Sequence, residues 1–180
     1  SSAASDVYKR QAYLRQMVRE SRKPLVRIDA KHTGVHDDEA KKLPEESFNG
    51  LEKELEVAED ARVILISNLA VEHGLMNGTQ GTIRRIIFRR GHHPNHEKPE
   101  CRQPEVIVVD FPKYAGPRFY DDLERATWVP LRAVTRNAEG DTGATRTQFP
   151  LILGWAMTPW KAQGMTLDLS LIHISEPTRQ

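Results

Sequence analysis

Short apolar runs rich in β-branched residues, separated by polar connections, limit the fold of this 180-residue chain more than any other feature. Four of these runs are RVILIS at 62–67, GTIRRIIF at 81–88, EVIVVDF at 105–111 and TWVPL at 127–131. Runs of this length and composition, bounded by turn residues, predict β-strands. Because the strands are short and follow one another, we expect antiparallel pairing in a small barrel.

The connection NLAVEHGLMNGTQG, residues 68–81, joins the first two predicted strands. Its Asn77-Gly78 pair is a strong turn signal, because both residue types tolerate a positive φ. The flanking strands are therefore expected to form a hairpin.

The apolar stretch QFPLILGWAMT at 148–158 has a different pattern. A continuous apolar run is typical of a strand buried on both faces, as in the parallel sheet of an α/β core. The polar segment PWKAQGMTLD follows it, where ligands of open α/β sheets usually bind.

An amphipathic helix is predicted near the beginning of the chain, since Leu14, Met17 and Val18 share one helical face. We expect it to end before Pro24 and to be followed by a strand at 25–28.

The two ends of the chain can be encoded by opposite strands of one DNA element. Residues 6–11 (DVYKRQ) can be encoded as GAT GTG TAT AAG AGA CAG, and the reverse complement reads LSLIHI, the sequence at 169–174. Transposase-based sequencing libraries leave such inverted identical DNA. We therefore expect 1–11 and 169–180 to be translated adapter rather than native sequence. An ordinary disordered head and tail is the alternative.

Charge and cysteine content exclude little. The proposed adapter segments carry three of the 26 basic and two of the 25 acidic residues, which leaves 23 of each. Segment 39–60 is acidic and segment 84–102 is basic, and the latter could favour phosphate. The single Cys101 cannot form an intrachain disulfide, and no apolar run reaches membrane-spanning length.

Two motifs resemble those of the Pif/RecD-type superfamily 1 DNA helicases. FPLILGWAMTPWKAQGMTLD is similar to the family's late motif, an apolar stretch followed by A-x-T-x-x-K-S-Q-G-x-T. The residues that match it in register are Thr158, Lys161, Gln163, Gly164 and Thr166. RVILISNLAVEHGLMNGTQGTI is similar to the family's conserved strand–loop–strand, N-L then G-L-x-N-G-x-x-G. Its matching residues are Asn68, Leu69, Gly74, Leu75, Asn77, Gly78 and Gly81.

The resemblance implies a partial RecA-like α/β motor domain with an inserted small antiparallel β-barrel. The second RecA-like domain would comprise 12–42 and 145–168, and the barrel would comprise 43–144. In the family the late motif contacts the single-stranded DNA backbone and couples it to the ATP cleft. The implied DNA-contact residues are Thr158, Lys161 and Gln163, whereas Gly164 allows a tight chain path. Asn77 and Gly78 are expected to shape the hairpin.

The late motif also departs from the family pattern. Ala162 replaces the usual serine before Gln-Gly, which removes a hydroxyl donor. Pro159 and Trp160 replace an apolar residue and a histidine or asparagine, and Pro159 lacks a backbone N–H. These changes remove two hydrogen-bond donors from the motif.

By the same resemblance, the parent protein would hydrolyse ATP with Mg²⁺ between two RecA-like domains. It would translocate 5′ to 3′ on single-stranded DNA and unwind duplex in repair, recombination or telomere maintenance. If eukaryotic, it would be nuclear or mitochondrial. The sequence contains no G-x-x-x-x-G-K-[ST] phosphate loop, and the family's arginine motif would follow residue 168. We therefore expect no ATPase activity, and no catalytic residue, in this chain alone.

Two other functional readings stay open. One is a stand-alone barrel that binds single-stranded nucleic acid without catalysis, through four basic residues and a stacking Trp128 or Trp160. Those basic residues are Arg84, Arg85, Arg89 and Arg90. The other is an inactive transposon-derived helicase remnant. GHHPNHEKPEC at 91–101 fits no standard zinc spacing, and we predict a solvated loop there.

Overall fold

The computed structural model describes residues 2–34, 37–140 and 143–154, except for the side chains of 2–7 and 37–39. Its helices are α1 (Ser2–Ser21) and α2 (Asp37–Lys42). Its strands are β1 (Val26–Asp29), β2 (Lys31–Thr33), β3 (Glu54–Val57), β4 (Arg62–Leu65), β5 (Gln80–Ile87), β6 (Val106–Asp110), β7 (Trp128–Leu131), β8 (Val134–Asn137), β9 (Thr145–Gln148) and β10 (Leu151–Leu153). Short 3-10 turns lie at Glu46–Phe48, Val71–His73, Pro99–Arg102 and Leu123–Arg125.

Helix α1 packs on the main core through the predicted face. Leu14 is fully buried, and Met17 and Val18 pack against the same cluster. The helix ends at Ser21, three residues before Pro24, and it begins well before the predicted amphipathic segment. Within the described residues, no helix is both long enough and apolar enough to cross a membrane.

The largest sheet has the order β10-β4-β5-β6-β7, and every pairing in it is antiparallel. The four runs predicted as strands are therefore confirmed as neighbours. Three have slightly shorter bounds, and β5 begins and ends one residue earlier than predicted. Alternate residues of an antiparallel strand face opposite sides. Ile83, Val109 and Val129 form one inward-facing row, with Ile107 and Leu131 in the next row.

Two smaller sheets complete the described fold. Strand β1 pairs with β3, and both contribute buried apolar residues to the main core. The second sheet has the order β2-β9-β8. Its Thr33 and Thr145 hydroxyls lie 2.6 Å apart across β2 and β9, and those of Thr135 and Thr147 lie 2.7 Å apart across β8 and β9.

The expectation of a parallel strand at the apolar stretch is wrong for its described part. Leu151, Ile152 and Leu153 are all buried, as predicted, but β10 pairs with β4 in antiparallel register. A continuous apolar run reports burial on both faces, and it carries no information on the direction of the neighbouring strand. The last residues of the stretch, 155–158, lie outside the described residues.

No sheet of residues 2–34, 37–140 and 143–154 closes into the expected barrel. The large sheet ends at β10 and β7, and Pro130 in β7 has no backbone N–H to offer a further strand. Pairings also cross the predicted boundaries: β1 pairs with β3, and β10 pairs with β4. The division at residues 43 and 144 thus stays a prediction.

The second, smaller core is built around a fully buried arginine. Arg146 donates from Nη1 to the Leu51 carbonyl at 2.8 Å and from Nη2 to the Leu43 carbonyl at 2.9 Å. Its Nε donates to Nε2 of His32 at 2.9 Å, and its guanidinium lies 4.1 Å from the ring centre of Phe48. Burial is the main cause that lowers the pKa of Arg146. One side chain thereby ties β9 to β2 and to the segment before β3.

Gln148, two residues further along β9, makes a similar connection to the other small sheet. Its buried side-chain amide donates to the Ile28 carbonyl at 3.0 Å and accepts from the Phe149 backbone N–H at 3.0 Å. Buried polar groups are costly unless they are paired, and here both ends of the amide are satisfied.

We expect Arg146→Gln to lower the free energy of unfolding by roughly 2–4 kcal/mol, because it leaves two buried carbonyls without donors. The measurement is urea unfolding of the 180-residue chain. Exposed Arg132 provides the control, and Arg132→Gln should change stability by less than about 0.5 kcal/mol. Equal losses in the two variants would contradict the role given to Arg146.

We also expect stability to fall on acidification because of His32. Its Nε2 accepts from Arg146, and its pKa is lowered by burial, then by the charges of Arg146, Lys41 and Lys53. A depressed folded-state pKa gives stability that is full above the unfolded value of about 6.5 and is lost as pH falls below it. The melting temperature should therefore decrease below about pH 6.5, and His32→Gln should flatten that decrease. Identical pH profiles would refute the assignment.

Candidate nucleic-acid interface

The loop between β4 and β5 is held closed by polar contacts of the predicted motif residues. The Asn68 side-chain oxygen accepts from the Asn77 backbone N–H at 2.8 Å. Ala70 and Leu75 exchange backbone hydrogen bonds of 3.1 and 3.0 Å and form an isolated bridge. Asn68 and Asn77 therefore shape the loop from its two ends.

Two glycines of the motif adopt conformations that other residues avoid. Gly74 has φ +83° and ends the turn Val71–His73, and Gly78 has φ +95° while its N–H donates to Leu65 at 2.7 Å. A Cβ on Gly74 would lie 2.5 Å from the Lys113 carbonyl oxygen. The loop is thus packed against the segment that follows β6.

Gly81 has another reason to be small. It lies inside β5, and a Cβ there would approach Val109 Cγ1 to 2.5 Å and the Asp110 carbonyl oxygen to 2.9 Å. The missing side chain lets β5 pack against the side chains of β6. Gly74, Gly78 and Gly81 are thus each constrained by backbone conformation or by close packing.

The loop also presents apolar side chains to solvent. Leu69, Val71 and Met76 are 40%, 51% and 42% exposed. Their neighbour His73 packs edge-on to Tyr114, whose hydroxyl donates to the Pro117 carbonyl at 2.8 Å.

The predicted DNA-contact residues Thr158, Lys161, Gln163, Gly164 and Thr166 lie outside the described residues. The described chain ends at Gly154, directly after β10. The Gly154 N–H donates to the Arg62 carbonyl at 2.9 Å, which fixes this point beside the first residue of β4.

Acidic partners neutralise half of the arginines expected to attract phosphate. Arg84 donates to Asp110 at 2.8 Å, and Arg89 lies 3.6 Å from Glu105. Arg85 and Arg90 are exposed and have no carboxylate partner among the described residues. The described surface consequently offers isolated cations rather than a continuous basic strip.

Trp128, at the start of β7, is the centre of an aromatic and arginine cluster. The Tyr120 ring meets it edge-on at 6.0 Å, and the guanidinium carbons of Arg84 and Arg125 lie 5.9 and 6.0 Å from its ring centre. Arg125 also lies 4.7 Å from the Tyr120 ring and is paired with Asp122. The hydrogen bond from Arg125 lowers the pKa of Asp122.

Asp110 is the last residue of an apolar strand. In nucleotide-hydrolysing motors an aspartate at such a position binds Mg²⁺. Its two carboxylate oxygens are occupied by Arg84 and by the Thr127 hydroxyl, which donates at 2.7 Å. Both oxygens of this carboxylate are therefore hydrogen-bonded to neighbouring side chains. Among the described residues, no group of three or more His, Cys, Asp or Glu could hold a metal ion.

The histidine-rich segment is organised by backbone contacts. His96 Nδ1 accepts from the Lys98 N–H at 3.0 Å, and the His96 carbonyl accepts from Arg102 at 2.6 Å. The His93 N–H donates to the Cys101 carbonyl at 3.2 Å, so the segment folds back on itself.

Sequence reasoning did not single out Arg146, Tyr120 or Arg125. For Arg146 the sequence TRTQ at 145–148 offered one signal. It directly precedes an apolar run, and polar side chains beside a core strand need hydrogen-bond partners. Nothing in the sequence linked Tyr120 and Arg125 to Trp128, because their proximity depends on the Leu123–Arg125 turn.

The similar proteins reported below are all helicases of the Pif1 type. No family model matches the chain. It is 32% identical over 126 residues to the ATP-dependent DNA helicase PIF6 of Trypanosoma brucei brucei, covering 70% of this chain and 14% of that protein. It is 34% identical over 109 residues to human ATP-dependent DNA helicase PIF1, covering 60% and 13%. The chain thus spans about one-seventh of the length of these curated relatives.

Solved structures show the fold. The Pif1 helicase of Candida albicans superposes with a TM-score of 0.57 at 21% identity, covering 89% of this chain and 36% of that one. Unliganded Pif1 from Bacteroides gives 0.51 at 22% identity, covering 80% and 37%. The described strands therefore have the arrangement found in part of a larger helicase fold.

Gly74→Ala and Gly91→Ala should separate the cost of backbone strain from that of crowding. Both glycines have a φ near +80°, but a Cβ meets the Lys113 carbonyl at Gly74 and nothing within 4 Å at Gly91. We expect about 1 kcal/mol of destabilisation at Gly91 and roughly 1–3 kcal/mol more at Gly74. Chemical unfolding of both variants measures the difference, and equal costs would contradict the close packing of the loop.

Proposed function

We propose a function from one premise: over the segment it spans, the chain is a homologue of the Pif1-type ATP-dependent DNA helicases. The parent protein is an ATP-dependent DNA helicase that moves along single-stranded DNA and unwinds duplex. The identity to named helicases over 126 residues is the observation that carries this proposal. The strand order and the closed loop that follows β4 support it.

In this proposal the late motif contacts DNA. A threonine hydroxyl and a lysine ammonium are good phosphate donors, and a glutamine amide can both donate and accept. Thr158, Lys161 and Gln163 therefore bind the phosphate backbone, and Gly164 allows a tight chain path. Thr166 belongs to the same DNA-binding set. Gly154, fixed beside β4, holds the point from which this segment departs.

ATP and Mg²⁺ belong to the rest of the parent protein. The first RecA-like domain of the same chain would supply the phosphate loop that this sequence lacks, and the segment alone hydrolyses no ATP. Residues 12–42 and 145–168 form the second RecA-like domain, and 43–144 form the insertion. The adapter origin of 1–11 and 169–180 is part of the same proposal.

The finer features follow the family resemblance. Translocation runs 5′ to 3′, and the substrate is single-stranded DNA or a forked duplex. The parent acts in repair, recombination or telomere maintenance, in the nucleus or mitochondrion if the organism is eukaryotic.

The test uses the full-length parent protein, recovered by sequencing the locus across residues 12 and 168. We expect Lys161→Ala to weaken binding of a single-stranded oligonucleotide about tenfold, since one charged phosphate contact is lost, and to reduce DNA-stimulated ATP hydrolysis with it. Exposed Lys31 in β2 provides the control, and Lys31→Ala should leave both measurements unchanged. Unchanged binding in Lys161→Ala would contradict the late-motif assignment, and an upstream sequence without a phosphate loop would contradict the helicase proposal.

A further inference from the structure

The outer face of β5, β6 and β7 is a surface that the helicase motifs do not use. The cross-strand row Thr82–Asp110–Trp128 lies on it, and so does the row Arg85–Val108–Pro130, in which Val108 itself is buried. The rows between them point into the core, since Ile83, Val109 and Val129 are buried. This outer face therefore joins an indole, a proline ring and a guanidinium along one side of the sheet.

A β-bulge supplies the basic residues of this face. The register of β5 against β6 shifts between Ile83 and Arg85, so that Arg84 is the extra residue. Arg84 is directed to Asp110 and towards the Trp128 ring, whereas Arg85 stays exposed. Two consecutive arginines thereby reach the same surface, and only Arg84 has a carboxylate partner among the described residues.

An open groove of about 640 Å³ runs beside Trp128 on this face. Its lining residues are Glu59, Asp60, Arg84, Arg85, Ile86, Ile87 and Trp128. The groove is large enough for one flat aromatic ligand, and pockets of a few hundred Å³ are usual for small molecules.

The charges of the groove almost cancel. Lys23 is paired with Asp60 and lies 4.0 Å from Glu59, and Arg84 is paired with Asp110. Arg85 is the one cation among the groove's lining residues without a carboxylate partner. A ligand that fits these charges has one negative group beside a large apolar surface. A run of several phosphates does not fit, because it would need several free cations.

We propose that this groove binds one unpaired nucleotide of single-stranded DNA, with its base stacked on Trp128 and its phosphate beside Arg85. The inference rests on the proposed function, because it takes DNA as the partner. Tyr120, Arg84 and Arg125 hold the indole in place, so little side-chain freedom is lost when a base stacks. The site is separate in sequence from the late motif, and it binds a base as well as one phosphate.

The experiment measures binding of a labelled thymidine oligomer to the 180-residue chain. A length of about 12 nucleotides is within the site sizes usual for single-strand-binding domains. Trp128→Leu should raise Kd about tenfold, Trp128→Phe should raise it less, and Arg85→Gln should raise it two- to threefold. Arg85→Gln should also reduce the salt slope by about 0.7. Lys31→Gln provides the matched loss of one exposed charge and should change nothing.

An abasic oligomer of equal length tests the stacking without any change to the protein. The unsubstituted chain should bind it about tenfold more weakly than the thymidine oligomer. Any one of three results would overturn the proposal. The two oligomers bind equally, or Trp128→Leu has no effect although its melting temperature is unchanged, or the chain does not bind at low salt.

Lys161→Ala in the same assay distinguishes the two proposals. If Lys161→Ala weakens binding and Trp128→Leu does not, the groove proposal fails and the late-motif assignment stands. If only Trp128→Leu weakens binding, the groove proposal stands and the late-motif assignment fails.

Discussion

The buried guanidinium of Arg146 is the contact on which the smaller core and its neighbours depend. It connects β9 to His32 in β2 and to two carbonyls before β3, and it lies against Phe48. A buried cation is tolerated only where its donors are satisfied, and the partners here come from β2 and from the segment before β3. Arg146 joins the sheet β2-β9-β8 to the segment before β3, and Gln148 joins it to β1, so that carbonyls of both segments are paired.

Ion pairing decides which surfaces are available for a ligand. Arg84 and Arg89 have acidic partners, and those partners fix side-chain positions more than they add stability, since exposed pairs contribute little. Around Trp128 this produces a rigid, nearly neutral surface. Along the β4–β5 loop, three apolar side chains are exposed to solvent. The sequence suggested a basic segment at 84–102, and in three dimensions Arg84 and Arg89 of that segment are paired with carboxylates.

The strands were predictable because their composition records local preference, whereas their partners depend on the whole chain. β-Branched runs identified β4, β5, β6 and β7, and the helical face of Leu14, Met17 and Val18 identified α1. The antiparallel pairing of β10, the bulge at Arg84 and the burial of Arg146 could not be predicted, because each is set by residues far away in sequence. Within the candidate site, the glycines at 74 and 78 were recognisable, since positive φ favours that residue type.

The pairing of β2 with β9 has a consequence for the order in which the chain can fold. His32 and Arg146 are neighbours across these strands, although 114 positions separate them. Loops this long are slow to close, and long-range pairings delay folding. On the ribosome, the segment that contains β2 is synthesised early and must wait for β9 to emerge before its strand and His32 find their partners. Until then the carbonyls before β3 stay hydrated, so a pause in synthesis before residue 146 would leave the smaller core unassembled.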